Sequence, residues 1–126
     1  MTLRSNAKLT SQVQIYNENG HFDFKKIIEL TGFTPSKFAK CSGLSVSTIQ
    51  KNLSTAKNNR RHFLKELEYV VTLLAELADN DETEMKLWFS QPKIFWKGLS
   101  PLDLIQMDQI EVVKLELERK LHGEIS

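Results

Sequence analysis

Apolar residues recur at helical spacing along most of this chain, and Gly, Pro and small capping residues cut the pattern into segments. Phe24, Ile27, Ile28 and Leu30 define a first amphipathic helix, stopped by Gly32. Thr34 and Pro35 open a second, because Thr is a good N-cap and Pro suits the first helical position. It carries Phe38, Ala39 and Cys41 and stops at Gly43. Ser45 opens a third helix, with Ile49 and Leu53 four apart on its apolar side. Residues 54–61 are polar and basic. A long helix follows, striped by Phe63, Leu67, Val70, Leu74 and Leu77. The stripe spans only about two heptads, which suits a core helix better than a coiled coil; a dimer seam is the alternative. Asn80-Asp81 starts the next helix, through Met85, Leu87, Trp88 and Phe89, which breaks at Gln91-Pro92. The connection holding Ile94, Phe95, Trp96, Gly98 and Leu99 is unusually apolar. Ser100-Pro101-Leu102-Asp103 is a compact helix start, with Asp103 favoured near the positive end of the dipole. Asp108 is placed to cap the last helix, which ends at Leu121 before Gly123.

Two segments are less regular. Val113 to Glu118 alternates apolar and polar, as a strand would, but the window is rich in Glu, Leu and Lys and reads as helix. The first twenty residues are polar with a weak apolar trace (Val13, Ile15, Tyr16) and a turn at Asn17-Glu18-Asn19-Gly20. The expected architecture is all-α. It comprises a flexible or loosely packed arm over 1–21, a helix-turn-helix region over 22–62, a long connecting helix over 63–80 and a final module over 81–126.

At 126 residues the chain is too short for a large multidomain enzyme, yet long enough to bury a core without disulfides. Its single cysteine excludes an intramolecular disulfide. The longest apolar run, Tyr69 to Ala75, is interrupted by Thr72 and falls far short of the ~20 residues of a membrane span. No apolar leader follows Arg4 and Lys8, so a cytoplasmic location is expected. Charge changes the picture more. Residues 1–66 carry eleven Lys and Arg against four acids, a balance of +7, while residues 67–126 carry six against twelve, a balance of −6. A basic half joined to an acidic half suits two partners of opposite character, one of them a polyanion.

The segment 34–53, TPSKFAKCSGLSVSTIQKNL, is the strongest local signal. A helix-turn-helix needs a tight turn and a small residue where the helices cross. Gly43 supplies the turn, Ala39 the small residue, Leu44 and Ile49 the apolar anchors and Ser45 the cap. The run Phe-Ala-Lys-Cys-Ser-Gly-Leu-Ser-Val-Ser-Thr-Ile resembles the helix-turn-helix of Xre/Cro-type regulators, with their A-x-x-x-G-x-S-x-x-T-I pattern. The resemblance implies that the third helix lies in the major groove of operator DNA. Ser45, Val46, Ser47, Thr48, Gln50 and Lys51 would then read bases, with Gln50 suited to adenine and Lys51 to guanine or phosphate. Lys40, Lys57, Arg60 and Arg61 would hold phosphates. A helical hairpin that touches no DNA is the alternative.

A second resemblance covers 88–123. Trp88-Phe89, Pro92, Gly98-Leu99-Ser100-Pro101-Leu102-Asp103-Leu104-Ile105 and a helix ending at Leu121 before Gly123 are similar, in that order, to the Xre/MbcA/ParS toxin-binding domain of bacterial antitoxins, with Ile105 where Leu is common. The two resemblances together span about residues 22–126. They imply a homodimer that binds and occludes a cognate toxin, often a RES-type enzyme that consumes NAD, and that represses its own operon. Trp88, Phe95, Trp96, Gly98, Leu99, Pro101, Leu104 and Leu121 are the implied toxin or dimer contacts. The tail, His122, Gly123, Glu124, Ile125 and Ser126, is implied to lie near the toxin's active site. A stand-alone dimeric regulator is the alternative.

Residue chemistry points away from catalysis. His21, His62 and His122 are far apart, and one Cys cannot make a zinc cluster. No Gly-rich phosphate loop is present. Asp79, Asp81, Glu82 and Glu84 read as a solvated helix start. Neither a cofactor nor enzyme activity is expected.

Overall fold

The structure, a computed structural model, describes residues 13–59 and 61–123. They form eight α-helices: α1 Phe24–Thr31, α2 Pro35–Ser42, α3 Val46–Gln50, α4 Ala56–Asn59, α5 His62–Leu77, α6 Glu82–Ser90, α7 Pro101–Gln106 and α8 Ile110–Leu121. A single 3-10 turn spans Ile94–Trp96. Among the described residues the only extended pairings are two isolated bridges, so the fold is all-α.

Local chemistry sets most of the boundaries. The Asp23, Thr34 and Ser45 side chains accept the N–H groups of Lys26, Lys37 and Thr48, and Asp81 accepts those of Thr83 and Glu84. At α7 the cap is reciprocal. Ser100 Oγ accepts the Asp103 N–H at 3.0 Å, and the Asp103 carboxylate accepts the Ser100 N–H at 2.9 Å. Asp103 therefore does more than favour the dipole. Helices α1 and α2 end on the left-handed glycines Gly32 and Gly43.

Four boundaries differ from the pattern-based reading. Helix α3 stops at Gln50, and Asn52 turns left-handed (φ 55°), so Leu53 swings out and is 54% exposed instead of lining the apolar side. The polar stretch after it contains the short α4. Helix α5 ends at Leu77, where Asp79 and Asn80 both take left-handed backbone and turn the chain into α6. Asp108 does not cap α8. It too is left-handed (φ 64°), its N–H bonds Ile105 O at 3.2 Å, and Gln109 holds the N-cap position without a side-chain bond.

The loose arm needs correction over 13–21; residues 1–12 lie outside the described residues. Tyr16 pairs with Phe22 in an antiparallel bridge and their rings stack at 5.5 Å. The Asp23 N–H bonds Ile15 O at 2.9 Å, and the Tyr16 hydroxyl donates to Glu68 on α5. Ile15 and Phe22 are buried. The weak apolar trace was the part of the segment that the core uses.

One core serves the whole of the described chain. Helix α5 runs through it, burying Leu64, Leu67, Val70, Val71, Leu73 and Leu74. Its largest packing surface is against α8, through Val113 and Leu117. The middle of the α5 stripe, Leu67, Val70 and Leu74, is thus core, while Phe63 at its start is half-buried and Leu77 at its end is exposed. Helix α1 packs on α6 on one side and α3 on the other. Phe33 and Phe38 meet edge to face at 5.4 Å, and both contact Phe63 at 6.2 Å. No helix among the described residues is long and apolar enough to cross a membrane.

The capping box gives a direct test. Asp103→Ala should cost about 1 kcal/mol, read as a lower urea midpoint with an unchanged slope.

Candidate functional site

The α2–α3 unit is joined by a tight, internally held turn. Gly43 takes φ 75° and donates its N–H to Ala39 O at 2.8 Å. Ala39, Leu44 and Ile49 are buried at the crossing. Buried Ser42 accepts the Leu44 N–H at 3.3 Å, which holds the turn from inside. Arg61 braces it from outside: Nη1 donates to Ser42 O at 3.4 Å and sits 3.0 Å from where a Cβ on residue 43 would lie. The resemblance implies a phosphate contact for Arg61. The side chain also satisfies a carbonyl at the end of α2.

The six base-reading candidates separate into two groups. Ser45 Oγ accepts the Thr48 N–H at 3.0 Å and lies 2.8 Å from Thr48 Oγ1, so both side chains are engaged in starting α3. Val46, Ser47, Gln50 and Lys51 are exposed. Positions 46 and 50, and 47 and 51, are one turn apart, so the four form one outward face. Lys40 and Lys57 are exposed as well, and Arg60 lies outside the described residues.

Asn52 was missed. Its Oδ1 accepts the Phe24 N–H at 2.7 Å, and its Nδ2 donates to Asp23 Oδ1 at 3.0 Å. The end of α3 is thereby tied to the start of α1. The available signal was Asn just past a short helix, a common left-handed terminator.

Cys41 borders a cavity of about 440 Å³ with Lys37, Lys40, Phe63, Ile105 and Asp108. Burial pushes its thiol above the usual range, and the Asp108 carboxylate adds to this. The protonated thiol dominates at neutral pH, opposite to what a nucleophile needs. No group of three or more His, Cys, Asp or Glu side chains among the described residues could hold a metal.

In the C-terminal segment the named residues also divide. Pro101 and Leu104 are buried, so they support this chain's own core instead of an interface. Trp88 is half-buried, edge to face with Phe89 at 5.6 Å, and the Lys93 ammonium lies 5.5 Å over its ring. Burial, then nearby Lys120, pushes the Lys93 pKa down. Trp96 and Leu99 are half-buried, whereas Phe95 is 60% exposed beside left-handed Gly98. Leu121 is half-buried, and His122 and Gly123 are exposed. Glu124, Ile125 and Ser126 lie outside the described residues. Ile94, in the same apolar connection but not among the implied contacts, is 95% exposed.

No protein-family model matches the sequence, and no curated protein matches it.

Gly43 and Gly98 separate backbone strain from contact. Gly98→Ala meets no atom within 4 Å and should lose only the left-handed preference, about 1 kcal/mol. Gly43→Ala must also shift the Arg61 guanidinium by a few tenths of an ångström, loosening its bond to Ser42 O, and should lower the urea midpoint slightly further.

Proposed function

We propose that this chain is a DNA-binding antitoxin of a type II toxin–antitoxin pair, of the Xre kind with an Xre/MbcA/ParS-like toxin-binding segment. One observation carries the reading. The α2–α3 pair, read as a helix-turn-helix, leaves an exposed face on α3 and shares a core with a segment resembling antitoxin toxin-binding modules, and that segment leaves Ile94 and Phe95 uncovered.

In this reading α3 enters the major groove of operator DNA. Val46, Ser47, Gln50 and Lys51 face base edges, Gln50 pairing with adenine. Lys40, Lys57, Arg60 and Arg61 meet phosphates. The protein works as a cytoplasmic homodimer, needs no cofactor and catalyses nothing. The 88–126 segment holds the toxin, with a RES-type NAD-consuming enzyme as the first candidate. The tail from His122 to Ser126 occludes the toxin's active site, and the DNA-binding half represses the operon.

The deciding experiment is co-expression with the product of the neighbouring gene. Rescue of growth and a stable complex support the antitoxin. An innocuous neighbour and no complex would replace it with the stand-alone regulator. DNA binding is tested separately by salt titration. Lys57→Ala should weaken binding equally on all sequences and lower the log–log salt slope by about 0.9. An unchanged slope removes Lys57 from the phosphate contacts. Arg61 is a poorer probe because it also braces the turn.

A further inference from the structure

The turn between α6 and α7 is built to hold its shape. The Lys93 N–H bonds Leu99 O at 3.0 Å, and the Gly98 N–H bonds Lys93 O at 2.9 Å. The Lys97 N–H closes onto Ile94 O at 2.9 Å, with Lys97 left-handed at φ 57°. Half-buried Trp96 roots the turn in the core, and its ring meets Phe95 at 5.1 Å and 65°. Ile94 and Phe95 are left outside. Ile94 is 95% exposed, while the next most exposed large apolar residues, Phe95 and Leu87, reach 60%. A nearly bare Ile adds nothing to this chain's own core. Isolated exposed apolar residues are common, but a pair at the tip of a turn with so many backbone bonds is preordered for contact, which lowers the entropy cost of docking.

The surroundings specify the partner. Lys93 and Lys97 flank the pair, and Lys120 lies close enough to Lys93 to act on its charge. The nearby acid, Glu116, is drawn to Arg119 at 3.6 Å and Lys120 at 3.7 Å. The collar is therefore cationic, although residues 67–126 as a whole are acidic. A two-fold contact between copies centred here would bring like charges together. Nucleic acid would meet the collar but gain little from the apolar tip.

We infer that Ile94 and Phe95 form a preordered anchor that enters an apolar pocket rimmed by carboxylates on the partner protein. This rests on the antitoxin reading, in which the partner is the toxin.

The test is affinity of the purified neighbouring-gene product for the full chain and for Ile94→Asp, Phe95→Asp and Lys97→Glu. Each anchor variant should weaken the complex at least about 30-fold, the size of an interface hot spot. Lys97→Glu should weaken it less and flatten its salt dependence. Thermal midpoint and DNA binding should stay at wild-type values. Anchor variants that bind like wild type overturn the inference while leaving the antitoxin reading intact. So do variants that lose fold stability, or that abolish self-association but keep the partner. A wild-type chain that binds no neighbouring product overturns the antitoxin reading and the anchor with it.

Discussion

Helix α1 has to satisfy two neighbours at once, and the arrangement of both halves follows from that. Its eight residues bury Phe24, Ile27, Leu30 and Thr31, meeting α6 on one side and α3 on the other. Position along the helix is set at its first turn. Asp23 caps α1 while receiving Asn52 Nδ2, and Asn52 in turn receives the Phe24 N–H. Polar groups here sit beside a buried ring, where an unmade hydrogen bond is costly. By contrast, the Lys26–Glu82 pair at the α1–α6 edge, 2.8 Å long, keeps its acid side chain 37% exposed. Such pairs contribute at most about 1 kcal/mol. Apolar burial holds α1 to α6; hydrogen bonds index it against α3.

Ion pairing also sharpens the charge asymmetry. Two of the four acids in residues 1–66 face lysines of the other half: Glu29 meets Lys86 at 3.2 Å and Glu66 meets Lys114 at 2.9 Å. The Lys86 hydrogen bond, reinforced by Lys26, holds the Glu29 carboxyl below its usual range. The hydrogen bonds that the Lys114 ammonium donates to Glu66 and Glu111 raise its pKa. A third acid, Asp23, is engaged in capping. The cations on and around α2 to α4 thus have few carboxylates of their own segment to offset them, which favours a polyanion on that face.

The parts legible in sequence were those set by local chemistry. Thr34-Pro35, Gly43, Ser45 and Ser100-Pro101-x-Asp103 each encode a cap or a stop within a few residues, and each lies where the pattern put it. Three of the misplaced boundaries share one physical origin: polar residues in left-handed backbone. Asn52, Asp79, Asn80 and Asp108 all adopt positive φ. Asp and Asn serve equally well as N-caps and as left-handed terminators, and tertiary packing decides which. Asp108 was therefore read as opening α8 when it closes α7. The candidate site was harder. Residue type suggested which side chains reach DNA or a partner, but exposure depends on what other helices cover. This separated Ser45 and Thr48 from Gln50, and Pro101 and Leu104 from Ile94.

The shared core has a consequence for turnover in the cell. The two halves cross-brace through α1, α5 and α8, so neither owns a closed set of apolar faces. Unfolding one half strips cover from the other, and the described chain should melt as a unit. A protease that needs a loosened segment would then find all of the molecule or none of it. Degradation would withdraw every activity of the chain together, making protein lifetime a single control on all of them.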